Sequence, residues 1–183
     1  MQNNEGFGRL FHSCDEGITL PKRVFGCYKL KKEKVSSPLL FALRSGCSAV
    51  DTAFVYNNES DVGKTLNDAG MSPLLITKLW RSHYSFSASE VEGRFNDHMA
   101  ALGRRVDVWL IHFPGPGRHP LLKQNKPLDW SPAMRVATWK AMVDLQRAKK
   151  VRAVGVSNFS VRQMQSLFDG TGELCWMPFV VVD

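Results

Sequence analysis

Two hydrophobic rhythms alternate along this chain. Short runs dense in apolar and β-branched residues, the mark of strands buried on both faces, give way to stretches whose apolar residues recur every three or four positions, the mark of amphipathic helices. The first run, Arg23 to Tyr28, precedes a helix that Ser37 can cap, with Pro38 in its first turn, Leu40 and Leu43 on one face and Gly46 at its end. Cys47 to Thr52 reads as the second strand, and a helix from Glu59 to Ala69 presents Val62, Leu66 and Ala69 before Gly70 stops it. Leu74 to Lys78 is the third strand. Ser87 and Glu90 have capping-box spacing, and Val91, Phe95, Met99 and Leu102 form one stripe closed by Gly103.

Val106 to Ile111 is the fourth strand. The segment from Phe113 to Ser131 holds four prolines and two glycines and reads as an ordered loop over one end of the fold, where function tends to sit. Ser131-Pro132 opens a helix that turns Trp139, Met142 and Val143 inward, and Val151 to Val156 is the fifth strand. Ser160 and Gln163 repeat the capping-box spacing ahead of Met164 and Leu167, with Gly170 as the stop, and Pro178 to Val182 begins a sixth strand.

Strands joined in sequence by helices imply a parallel sheet, because parallel neighbours need crossover connections. An open doubly wound sheet carrying a dinucleotide would show G-x-G-x-x-G after its first strand, and the sequence has none. The expected class is therefore α/β, a TIM (β/α)8 barrel. Such a barrel takes eight units and about 250 residues, so five full units and part of a sixth make it incomplete, a single partial barrel domain over residues 1–183. Gly6 to Leu20 is expected to form a small hairpin plugging the barrel bottom.

Composition narrows the function. With 44% hydrophobic and 22% charged residues the 183-residue chain is that of an ordinary globular domain, and its apolar runs are too short for a membrane span. Its start lacks a signal pattern, so a cytoplasmic location is expected. Cys14, Cys27, Cys47 and Cys175 show no C-x-x-C pair, which argues for reduced thiols and against a metal site. The formal charge of +7 suits an anionic partner, but the lysines and arginines are dispersed without interleaved aromatics, so nucleic acid is not expected.

On a (β/α)8 barrel the chemistry gathers at the C-terminal ends of the strands. Strand two ends in Asp51 with Tyr56 just beyond, strand three in Lys78, strand four in His112 and strand five in Ser157-Asn158. Each has an ordinary reading too: Asp51 as a turn residue, Tyr56 as an amphipathic tyrosine, Lys78 as a solvated strand end, His112 as a satisfied histidine before Pro114. Together, an acid, a phenol, an amine and an imidazole at one mouth make a proton-transfer site.

The local sequences carry a specific resemblance. Asp51-Thr52-Ala53-Phe54-Val55-Tyr56-Asn57-Asn58-Glu59 with Val62-Gly63 resembles the aldo-keto reductase signature D-T-A-x-x-Y-x-N-E-x-x-V-G. Ile76-Thr77-Lys78-Leu79-Trp80 is similar to that family's lysine strand, Leu110-Ile111-His112-Phe113-Pro114 to its histidine strand, Val154-Gly155-Val156-Ser157-Asn158-Phe159 to its G-V-S-N-F strand, and Phe25 to Leu30 to its first strand, with Cys27 and Tyr28 replacing threonine and tryptophan. The resemblance, closest to the aldose reductase and prostaglandin F synthase-like branch, implies an NADPH-dependent reductase of aldehyde or ketone carbonyls. It implies Tyr56 as general acid, Lys78 lowering the phenol's pKa, Asp51 paired with Lys78, and His112 polarising the carbonyl. Ser157 and Asn158 would hold the nicotinamide carboxamide of NADP, with Cys27, Tyr28 and Asp51 also at the cofactor. Tyr28, Tyr56, Trp80, His112 and Phe113 would line the substrate pocket. The N-x-S matches at Asn58 and Asn158 are not expected to be glycosylated.

Val180 to Asp183 resembles the start of the family's sixth strand, which places the cofactor-stacking segment, strands seven and eight and the 2′-phosphate site beyond this sequence. The family expectation is a monomer, with self-association of the partial barrel through its open edges. Three readings follow: an active reductase, a catalytically inactive or regulatory relative, and a truncated product without a function of its own.

Overall fold

A computed structural model of the chain describes Ile18 and residues 21–31, 33–115 and 131–171. Strands β1 (Val24–Gly26), β2 (Ala49–Asp51), β3 (Leu74–Leu79), β4 (Val108–Ile111) and β5 (Ala153–Val156) form one parallel sheet in that order. Helices α1 (Glu33–Arg44), α2 (Glu59–Asp68), α3 (Ala88–Leu102), α4 (Pro132–Arg147) and α5 (Val161–Thr171) alternate with the strands, and consecutive helices pack on one another. A doubly wound sheet reverses strand order at its switch point; this sheet never does, so right-handed crossovers put every helix on the same side. That is the winding of a (β/α) barrel, traced over five of its units.

Alternation along each strand then sorts side chains between two faces. Val50, Leu75, Leu79, Trp109, Ile111, Val154 and Val156 point outward and meet the helices through Val35, Leu39, Val62, Leu66, Val91, Phe95, Leu102, Trp139, Met142 and Leu167. Ile76, Val108, Leu110 and Ala153 point the other way and form the interior cluster, on which Ile18 packs. The strand register sets Asp51 beside Ile76 and Lys78 beside Leu110, so the polar residues at the strand ends continue the interior face.

Local chemistry fixes most helix ends as expected. Ser87 Oγ accepts the Glu90 N–H at 3.3 Å, Ser131 Oγ accepts the Met134 N–H at 3.1 Å, and Ser160 and Gln163 bond each other reciprocally. Two boundaries differ. α1 begins at Glu33, so Pro38 lies inside it: the buried Val35–Leu39 stripe carries the helix through the backbone bond that proline forfeits. α5 runs to Thr171 with Gly170 inside it, because a Cβ there would lie 2.7 Å from Val136 Cγ1 of α4. Ala69, placed on the apolar stripe of α2, is exposed at its C-cap. The N-terminal hairpin (apart from Ile18), the loop over 116–130 and the sixth strand fall outside the described residues.

A buried polar cluster ties three elements behind the sheet. Glu59, at the start of α2, accepts from Thr77 Oγ1 of β3 at 2.5 Å, and the same carboxylate oxygen lies 2.8 Å from His98 Nδ1 of α3. All three residues are buried. A carboxylate without solvent needs such partners, so the cluster locks α2, and the loop leading into it, onto β3. α2 and α3 also approach closely at Gly63, where a Cβ would lie 2.0 Å from the Leu102 carbonyl oxygen.

Two stability measurements check this packing. Gly63→Ala is expected to lower the thermal midpoint by roughly 5 °C or more, whereas Gly93→Ala in α3, whose added methyl meets nothing within 4 Å, should raise stability by up to about 1 kcal/mol. Glu59→Ala is expected to cost at least about 2 kcal/mol in urea unfolding, because it leaves His98 and Thr77 buried without their shared acceptor. A midpoint unchanged in either Gly63→Ala or Glu59→Ala would contradict the geometry.

Candidate active site

Lys78 is the hub. It occupies an interior position of β3 with no exposed surface, and an ammonium there must satisfy its three donors within the protein. It donates to Asp51 Oδ1 at 2.5 Å, to the Tyr56 hydroxyl at 3.1 Å and to the Thr52 carbonyl at 3.2 Å. Asp51 is the last residue of β2 and is itself 5% exposed, so the pair is held in low dielectric where its attraction is strong.

Tyr56 reaches Lys78 because the chain after β2 folds at once into a short 3-10 turn, Phe54–Tyr56. Asn57 leaves that turn at φ 53°, a left-handed conformation that asparagine tolerates. Asn58, fully buried, then anchors the loop: its Nδ2 donates to the Cys27 carbonyl at 2.8 Å and the Leu30 carbonyl at 2.7 Å, while its Oδ1 accepts from Thr52 Oγ1 at 2.6 Å. These bonds join the loops after β1 and β2 into one body. They also leave no room for a glycan on Asn58.

Aromatic rings complete the mouth. The Tyr56 ring lies 5.0 Å from that of Tyr28 and 5.5 Å, edge to face, from the His112 imidazole. His112 follows β4, where its N–H donates to the Leu79 carbonyl at 3.0 Å. Its ring contacts Trp80 at 5.4 Å and stacks on Phe113 at 4.9 Å. Past β5, Asn158 adopts φ 60° and turns its Nδ2 onto the His112 carbonyl and Ser157 Oγ, both at 3.0 Å. Cys27 lies behind Asp51; burial, with the nearby Asp51 charge adding to it and Lys78 opposing, pushes its thiol up to about 12. It is a neutral wall at physiological pH.

The structure thus gathers Tyr28, Asp51, Tyr56, Lys78, Trp80, His112, Phe113, Ser157 and Asn158 at the C-terminal ends of five consecutive strands. Sequence reasoning missed the Thr52 carbonyl and the anchoring role of Asn58, although Asn58 stands inside the motif. It also missed Tyr84 and Arg135. Tyr84 donates to the Phe113 carbonyl, its phenol held above its usual range by burial, and Arg135 of α4 donates to the Pro114 carbonyl at 2.7 Å. No local pattern marks a residue whose acceptor is a distant backbone carbonyl. The side-chain amide of Asn158 uses Nδ2 within the protein while Oδ1 has no partner among the described residues, an acceptor suited to a carboxamide N–H. Among the described residues no group of three His, Cys, Asp or Glu side chains could hold a metal ion, and no helix is long and apolar enough to cross a membrane.

The chain is similar to known proteins. A glycerol 2-dehydrogenase (NADP(+)) of Saccharomyces cerevisiae is 30% identical over 176 residues, covering 87% of this chain and 55% of that enzyme. A methylglyoxal reductase of Escherichia coli is 28% identical over 160 residues, covering 86% of this chain and 52% of its own. Among solved structures, an aldose reductase from Schistosoma japonicum superposes with a TM-score of 0.72 at 25% identity, over 88% of this chain and 57% of that one. A Gox0644 mutant in complex with NADPH gives 0.67 at 28% identity, over 83% and 51%. The chain spans about half the length of the curated relatives it matches. The aldo/keto reductase family model matches residues 24–183, and with the fold in agreement, the chain belongs to the aldo/keto reductase family.

Proposed function

We propose that this chain carries the proton-transfer half of an NADPH-dependent oxidoreductase that reduces aldehyde or ketone carbonyls to alcohols. The observation that carries the reading is the buried Lys78 ammonium, bonded to Asp51 on one side and to the Tyr56 hydroxyl on the other. A tyrosine ordinarily gives up its proton near pH 10. An ammonium 3.1 Å from the phenolic oxygen stabilises the negative charge left there as the proton departs. Asp51 aims the Lys78 amine, and the Thr52 carbonyl fixes the third donor direction.

NADPH, when bound, supplies the hydride, as the relatives' names and the NADPH-bound neighbour support. Tyr56 gives its proton to the substrate's carbonyl oxygen as negative charge develops there. His112, edge-on to Tyr56, orients that oxygen and polarises the bond. Asn158 Oδ1 and Ser157 would hold the carboxamide, and Tyr28, Trp80 and Phe113 would exclude water and accept the apolar part of the substrate. Cys27 takes no part in proton transfer, being a thiol at working pH.

NADPH oxidation at 340 nm by the purified chain, with a panel of small aldehydes and ketones, tests the reading. Tyr56→Phe is expected to reduce turnover by about 10²- to 10⁴-fold with the circular dichroism spectrum retained, and Lys78→Met to do the same. Folded wild-type chain that turns over none of the panel would defeat the proposal for this polypeptide.

A further inference from the structure

Asn158 holds a left-handed backbone, φ 60°, a conformation that persists only where the surroundings impose it. Its amide reaches the His112 carbonyl and Ser157 Oγ, but these bonds do not reach Phe159, where the chain leaves the turn for α5. Arg135, in the first turn of α4 and only 5% exposed, does reach it. Its guanidinium carbon lies 5.8 Å from the Phe159 ring centroid, and its Nη2 donates to Ser166 Oγ of α5 at 2.7 Å. Ser166 donates in turn to the Gln163 carbonyl at 2.8 Å, and Gln163 Oε1 accepts the Ser160 N–H at 2.8 Å, so the hold extends to the start of α5.

The other end of the fork, Nη1, donates to the Pro114 carbonyl at 2.7 Å, two residues past His112. Two stretches of chain, His112 to Pro114 and Asn158 to Phe159, are thereby fastened to each other twice: by the Asn158 amide at one end and by the Arg135 guanidinium at the other. The neighbouring carbonyls are held from elsewhere. Tyr84 takes that of Phe113 and Arg81 that of Gly115, and both come from the segment after β3. A residue that only secured α4 would need one acceptor. A rigid planar fork engaged on two different elements fixes the distance between them.

We propose that Arg135 is a positioning residue that sets the spacing between the His112 loop and the Asn158 turn, and with it the direction of the Asn158 amide. The proposal rests on the reductase reading for what that amide receives, the nicotinamide carboxamide. A hold on the carboxamide is made in ground state and transition state alike, so its loss falls on cofactor affinity and not on the chemical step.

Exchange of the Asn158 side-chain amide protons with water, followed by NMR on the ¹⁵N-labelled full chain, reads that amide directly. The backbone amides of Leu110 in β4 and Val154 in β5 report the sheet in the same spectra. Arg135→Met keeps a buried apolar stem without the fork, and Ser166→Ala removes only the anchor on α5. Both are expected to speed exchange at Asn158 by about two- to tenfold, the weight of one hydrogen bond, with Leu110 and Val154 unchanged. In the NADPH assay, KM for NADPH should rise by a similar factor while kcat stays within about twofold. Unchanged exchange at Asn158, strand amides accelerating in step with it, or an unmoved KM where the wild type turns over would each overturn the assignment. Should Arg135→Met fail to fold, Ser166→Ala decides alone. A wild type without turnover, in which the variants still release Asn158 selectively, removes the reductase reading and leaves the spacing role.

Discussion

A positive charge with no access to water organises this molecule. The ammonium of Lys78 is placed on the interior face by nothing more than its position in β3, two residues after Ile76 and beside Leu110 of β4. Once there, it requires three acceptors, and they come from a different strand and its following loop: Asp51, the Thr52 carbonyl and Tyr56. An uncompensated charge at such a site would cost more than most single interactions in the fold contribute. The demand for neutralisation therefore fixes the register of β2 against β3 and the tight path of the chain from Asp51 to Tyr56.

The remaining architecture supports that demand from behind. Thr77 points to the opposite face from Lys78, and there it bonds Glu59, which opens the helix following the Tyr56 loop. One strand thus grips the same loop from both sides, with Lys78 holding Tyr56 and Thr77 holding Glu59. Asn58, between them in sequence, bonds the carbonyls of the preceding βα loop. Two buried polar networks on opposite faces of the sheet are joined by one stretch of four consecutive residues, Tyr56 to Glu59.

Much of this was legible in the sequence. The strand-end residues were found because alternation places Asp51, Lys78, His112 and Ser157 on one face and the barrel rule places that face's open end at the chemistry. Helix ends were legible where a cap is local, as at Ser87, Ser131 and Ser160. They were misplaced where tertiary packing overrides a local signal: Pro38 sits inside α1 because Val35 and Leu39 are buried on either side of it, and Gly170 sits inside α5 because Val136 comes too close for a side chain. The contacts of Arg81, Tyr84 and Arg135 were illegible for a different reason. Each acts on a carbonyl in Phe113–Gly115 contributed from a distant part of the chain, and no pattern of side chains records where a backbone carbonyl will lie.

The three bonds of Asn58 carry a thermodynamic consequence. By bridging Cys27, Leu30 and Thr52, they leave the first two βα loops without independent freedom, so Tyr28, at 38% exposure, and Tyr56, almost wholly enclosed, belong to a single mechanical unit. A displacement of the Tyr28 loop therefore strains the same Asn58 bonds that hold the Tyr56 loop.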